Sequence, residues 1–290
     1  MNDNGHTYDA TAAETYWSSR LAHTDELTAV LSHGLPAYLN RAYSRWEIET
    51  TLRALPPLEG LDVLDMGCGV GRLTVPLAQG KARVTSLDNS AAMLDACRRN
   101  VEQAGLAGSV KFEKGSAAAL PFAAHSFDVV TCVGVLEHLP EEIRNAAVTE
   151  AVRVLRTSGA LALVVNNASS HFLRREERYR MERQQDNGYF VGLVERSALE
   201  RQLSEADLVV RSAGSNLFQS LVKHVGQNFG LLAPDSEVMA SLAAAGTALD
   251  LAFPLKGDLD QALADQWVVI AERRANGAAG RSENPLCSMR

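Results

Sequence analysis

The sequence predicts an α/β protein, a doubly wound, mostly parallel seven-stranded sheet flanked by helices. Three observations carry this reading. Seven short apolar runs rich in valine and leucine fall at residues 61–66, 82–88, 109–114, 127–133, 160–166, 208–213 and 267–272. Most are continuous rather than alternating, the pattern of strands covered on both faces. Helical periodicity fills the gaps between the earlier runs, and strand–helix alternation builds a parallel sheet with helices on both sides. Finally, the stretch "LDVLDMGCGVGRLT" (61–74) sets three glycines on alternate positions directly behind the first run. Glycine inside a regular element only costs stability, so this spacing predicts a loop pressed against a ligand.

In chain order, residues 1–57 read as a helical cap, with Ile48, Leu52 and Leu55 on one face of its last helix. "LPPLEG" then marks a boundary, and 58–273 form the core. In "SAAMLDACRRNVEQAG", Ser90 is the N-cap, Met93, Leu94, Cys97 and Val101 form one apolar stripe, and Gly105 is the stop. "PEEIRNAAVTEAVRVLRTSG" predicts a helix that starts at Pro140 and ends at Gly159, with Arg156 in its last turn. Segments 167–194 and 214–265, after the fifth and sixth strands, are too long for plain connectors and are expected to cap the acceptor side. The tail, 274–290, is expected to be disordered.

The chain has 290 residues, 46% of them hydrophobic, which is enough for a sizeable core. A net charge of -7 argues against a nucleic-acid partner, which needs clustered Lys and Arg. No apolar run is long enough to span a membrane and the start lacks a secretory pattern, so a cytoplasmic location is expected. Cys68, Cys97, Cys132 and Cys287 form no CxxC pair and no metal-ligand spacing, and read as reduced, packed thiols. No metal is predicted.

A dinucleotide loop would read G-x-G-x-x-G. Here the order is Asp65, Gly67, Gly69, Gly71, and Arg72 stands where that pattern wants glycine. A carboxylate at Asp65 would repel a diphosphate but suits a ligand with a positive or amino end. Asp88, ending the second strand, is placed to accept bonds from ribose hydroxyls. An amino-acid end and a ribose end together suggest S-adenosylmethionine. A nicotinamide-dependent oxidoreductase is the weaker rival.

The motifs "VLDMGCGVG", "SLDNSAAML", "GSAAALPFAAHSFDVVTCVGVLEHLP" and "RVLRTSGALALVV" occur in one order over residues 60–166. In this the chain resembles class I S-adenosylmethionine-dependent methyltransferases of the small-molecule type, related to the quinone-biosynthesis (UbiG/UbiE-like) enzymes. A weaker match, "GYFVGLVERSALERQLSEADLVV", has Asp207 where that family usually has glycine. The resemblance implies a Rossmann-like methyltransferase fold with the loop of Gly67, Cys68, Gly69 and Gly71 as backbone cradle. It further implies Asp65 at the methionine amino group, Asp88 at the ribose, and Asn89 and Met93 beside the adenine. Ser116 replaces the usual adenine-binding acid, so that contact falls to its hydroxyl or to Ala117. Val133, Gly134 and Val135 would run along the methionine portion, with Glu137 and His138 opening toward the acceptor.

His138 is the candidate general base, since imidazole titrates near neutrality; Glu137 reads as a structural residue tied to nearby amides. Tyr16 and Trp17 are candidates to close over the sulfonium. Arg41 and Arg45 are weighed as carboxylate ligands against a solvated role. "LRREERYRMER" (173–183) reads as an exposed helix with pairs such as Glu176 with Arg180. His171, Tyr189 and Phe190 are expected to line the acceptor pocket. The function expected is methylation of a small organic acceptor, oxygen favoured over nitrogen or carbon, in quinone-type or secondary-metabolite biosynthesis. The alternative is C-methylation coupled to cyclisation.

Overall fold

The computed structural model describes residues 8–31, 34–176, 185–254 and 257–273. Strands β1 (Asp62–Met66), β2 (Arg83–Asp88), β3 (Val110–Lys114), β4 (Phe127–Val133), β5 (Leu155–Asn166), β6 (Leu208–Ser215) and β7 (Gln266–Arg273) form one sheet. Their order is β3-β2-β1-β4-β5-β7-β6. β7 runs antiparallel to β5 and β6, and the remaining pairs are parallel. Winding reverses between β1 and β4, so their carboxyl ends open into a crevice, the usual place for a ligand.

Neighbouring strand residues feed opposite cores, which is why the runs are continuous. Leu64, Leu161 and Leu163 pack on one face, with residues of helices α6 (Glu141–Val154) and α7 (Arg196–Glu205). Val63, Ala162 and Val164 pack on the other with α4 (Thr74–Gln79) and α5 (Ala91–Gln103). α5 begins as its sequence predicts, with Ser90 Oγ accepting from the Met93 amide at 3.2 Å.

Two readings change. The helix predicted to reach Gly159 stops at Val154, and Leu155 already pairs with Phe127. Arg156 is drawn into β5 by Asp128 (2.6 Å) and Asp62 (3.0 Å) instead of closing a helix. The cap narrows to α1 (Ala10–His23) and α2 (Glu26–Val30), which close over the crevice, where Trp17, Leu21 and Ala29 meet Val70 and Met93. The third N-terminal helix, α3 (Ala37–Ala54), is a core element: Trp46 is fully buried and packs with the second face. Segment 214–265 holds α8 (Leu217–Asn228), α9 (Glu237–Ala252) and α10 (Asp258–Leu263); α8 packs on α9 and α9 on α3.

Asp207 adopts φ +62°, the left-handed conformation that explains a preference for glycine there. Cys68, Cys97 and Cys132 are buried free thiols. Among the described residues no helix is long and apolar enough to cross a membrane. Cys287, the tail and the proposed Glu176–Arg180 pairing lie outside the described residues.

Candidate active site

The glycine loop leaves β1 and turns back under α5. Gly67 has φ +74°, and a Cβ there would stand 2.4 Å from Val135 Cγ2, so the loop and the segment after β4 touch through hydrogen alone. The Gly67 and Cys68 amides both donate to Leu87 O, at 2.7 and 3.0 Å, fixing the loop to β2. Gly71 does not border the crevice cavity: a Cβ there would meet Cys97 Sγ at 2.7 Å, so it serves loop packing.

Asp88 ends β2 with its carboxylate shared between two amides. Oδ2 accepts from Gly69 N and Oδ1 from Ser90 N, each at 2.9 Å. Burial pushes its pKa up to about 6, the two amide bonds opposing the rise. Asp65 is buried as well, accepting from Thr74 Oγ1 (2.7 Å) and Thr131 Oγ1 (3.0 Å). Burial raises its pKa and the hydroxyls counter it.

These residues border a cavity of about 470 Å³ at the carboxyl ends of β1, β2 and β4. Of the predicted contacts, Asp65, Gly67, Cys68, Gly69, Asp88 and Asn89 line it, as do Met93, Ser116 and Ala117. Val133, Gly134, Val135, His138 and Trp17 complete that group. α1 roofs the cavity, with Thr11, Glu14 and Trp17 in the lining, and Glu14 holds Lys114 at 2.7 Å, tying α1 to β3.

A second cavity, of about 340 Å³, adjoins the first, and Val30, Arg72, Gly134 and His138 line both. Its wall is unusually polar for a buried chamber. Arg72 pairs with Glu47 (2.7 Å), whose other oxygen accepts from Gln266 Nε2 (2.9 Å). Lys223 pairs with Asp265 (2.9 Å), and Tyr43 OH donates to the same oxygen at 3.0 Å. Burial alone would raise the Asp265 pKa, but Lys223 and His224 hold it well below the usual carboxylate range.

Glu137 lines this second chamber and its Oε2 has no hydrogen-bond partner. Burial pushes its pKa up to about 8, with the Glu47 charge adding to the rise. His138 Nδ1 lies 2.9 Å from Phe190 O. A carbonyl only accepts, so Nδ1 carries a proton in this contact.

The aromatic candidates divide. Trp17 stands edge-on to His138, with centroids 4.7 Å apart, while Tyr16 and Tyr189 meet at 4.9 Å along the second chamber. His171 is exposed and lines neither cavity; its amide donates to Ala262 O. Phe190 is buried outside both and contributes only its carbonyl. Arg41 is exposed and Arg45 pairs with Glu49 on the same helix at 2.6 Å, so neither reaches the site. Sequence reading missed Arg20, Glu47, Lys223 and Asp265. Arg72, beside the glycine loop, was the one with a visible signal.

Comparison with known proteins accords with this geometry. The family described as "Methyltransferase domain" matches residues 63–159. The chain is 41% identical over 107 residues to a ubiquinone biosynthesis O-methyltransferase of Methylocella silvestris, covering 36% of this chain and 41% of that protein. It is 30% identical over 158 residues to a ubiquinone/menaquinone biosynthesis C-methyltransferase of Shewanella piezotolerans, covering 53% of this chain and 59% of that protein. The chain thus spans about half the length of these relatives. Among solved structures, magnesium protoporphyrin IX methyltransferase from Synechocystis, with bound SAH, superposes with a TM-score of 0.60. That match has 19% identity and covers 92% of this chain and all (100%) of that one; it shows the shared fold. The Rossmann-like methyltransferase fold and the resemblance to quinone-type enzymes hold.

Proposed function

We propose that the chain transfers a methyl group from S-adenosylmethionine to a small organic acceptor, with hydroxyl oxygen as the favoured atom. Quinone-type or secondary-metabolite biosynthesis is the proposed setting. The observation that carries this reading is the pair of adjoining cavities that share Val30, Arg72, Gly134 and His138. The first fits the donor: Asp88 offers ribose hydroxyls a carboxylate, Asn89 and Met93 flank the base, and Asp65 and the glycine loop border the amino-acid end. Bound there, S-adenosylmethionine supplies an electrophilic methyl group on sulfur.

The chain's residues then have to align the acceptor and exclude water. α1 and α2 close the first cavity, and Trp17 spans from its roof to His138. His138, at the junction, takes the proton from an acceptor hydroxyl at Nε2 while Phe190 O holds Nδ1–H. That arrangement supports oxygen, because a neutral hydroxyl is a weak nucleophile until it loses its proton, whereas an activated carbon can attack first and lose its proton afterwards. Titration calorimetry tests the donor: S-adenosylhomocysteine binds and a nicotinamide dinucleotide does not. Methyl transfer to a phenol panel, read by product mass, tests the reaction. His138→Ala is expected to lower kcat by about two to four orders of magnitude and leave S-adenosylhomocysteine affinity intact. Binding of the nicotinamide dinucleotide in its place would overturn the proposal.

A further inference from the structure

Arg20 is the anomaly of the second chamber. It sits near the end of α1, is 6% exposed, and lines the acceptor side but not the donor cavity. Its bonds go to neutral groups: NH2 to Thr28 O and Leu31 O, and NH1 to Tyr16 OH at 3.5 Å. Nε is buried with no partner. Each of the chamber's other two basic side chains has an acid. Arg72 has Glu47, and Lys223 has Asp265 together with the more exposed Glu176. Among the described residues no carboxylate pairs with Arg20. A buried guanidinium with an unspent N–H and no counter-charge is a costly arrangement unless a ligand completes it.

Resting on the two-cavity reading above, we propose that the acceptor carries a carboxylate, and that Arg20 binds it. Carbonyls at Thr28 and Leu31 hold the guanidinium still, so little side-chain freedom is lost when the acid arrives. One uncompensated positive charge calls for one negative charge, which favours a carboxylate over a doubly charged phosphate ester. The rings of Tyr16 and Tyr189 beside it suit a flat, unsaturated body on the same molecule. Arg72, which lines both cavities, is the residue placed to serve the amino-acid end of the donor, leaving Arg20 for the acceptor.

The experiment uses benzoate, its neutral isostere benzamide and phenyl phosphate, titrated by ligand-observed NMR onto the full chain loaded with S-adenosylhomocysteine. Benzoate should bind about ten- to a hundredfold more tightly than benzamide, the range for one charge-assisted bond. Arg20→Gln should bring the two within about twofold. Arg20→Lys should keep part of the preference, and S-adenosylhomocysteine affinity should be unchanged in both variants. Equal binding of benzoate and benzamide by the unaltered protein would overturn the proposal, whether or not the variants fold. So would a preference for phenyl phosphate, or a full benzoate preference in Arg20→Gln. Weakened S-adenosylhomocysteine binding in that variant would assign Arg20 to the donor and overturn it likewise. Failure of S-adenosylhomocysteine to bind the unaltered protein would instead sink the methyltransferase reading, and the benzoate comparison on the unloaded chain would still decide this one.

Discussion

Asp88→Asn separates donor recognition from the rest of the fold. Two amides donate to the Asp88 carboxylate, Gly69 N to Oδ2 and Ser90 N to Oδ1, both at 2.9 Å. An amide side chain offers one accepting oxygen, so one of these N–H groups would face an NH2 and lose its bond. A charge-assisted bond contributes about 1.5–3 kcal/mol, and an orphaned buried donor costs about 1–3 kcal/mol. Part of that loss falls on folding, because Gly69 and Ser90 anchor the loop and α5. Part falls on the donor, whose ribose hydroxyls would meet a weaker acceptor, and at least a tenfold loss of S-adenosylhomocysteine affinity is expected, about 1.4 kcal/mol.

The pH dependence supplies the sharper test. Burial sets the Asp88 pKa at about 6 in the free protein. Ribose hydroxyls donate to the ionised form, so bound donor lowers that pKa and binding releases a proton at acid pH. Affinity for S-adenosylhomocysteine should therefore be roughly tenfold lower at about pH 5 than at about pH 7, levelling off above. Asp88→Asn should flatten this window. Calorimetry at both pH values, on samples whose circular dichroism is native-like, reads the effect directly. Equal affinities at the two pH values in the unaltered protein, or an unchanged slope in the variant, would refute the reasoning.

Three further outcomes follow from named contacts. Gly67→Ala sets a Cβ 2.4 Å from Val135 Cγ2 at φ +74°, and should cost about 2–3 kcal/mol in urea unfolding and abolish donor binding; Val135→Ala should restore part of the stability in a double-mutant cycle. Glu137 is raised to about 8 in the fold from an ordinary value near 4.5, so the folded state binds the extra proton and stability falls as pH rises from about 5 to 8. Glu137→Gln should remove up to about 4 kcal/mol of that decline, seen as a urea midpoint less sensitive to pH; an identical slope would refute the assignment. Asp207→Gly relieves a left-handed residue at φ +62° and should raise stability by about 0.5 kcal/mol in thermal melts.

What the sequence made legible was whatever has a local signature. The strands announce themselves because consecutive residues such as Val63 and Leu64 are buried on opposite faces, and the glycine loop because three glycines need an external reason. Gly159 misled as a helix stop. It sits within β5, where a Cβ would press on Leu155 Cδ1 at 2.7 Å, and the strand begins early because Arg156 is held by acids from β1 and β4. The acceptor chamber has no local signature at all. Tyr43 and Asp265 lie 222 positions apart and Gln266 reaches Glu47 across 219, so each reads alone as a polar residue on a helix or at a strand edge. Arg20 is the extreme case: on α1 it looks like a solvated last-turn base, suited to the helix dipole. Only when α2 turns its carbonyls onto the guanidinium and the chamber closes around it does the missing acid become visible, and a missing partner is something no motif can spell.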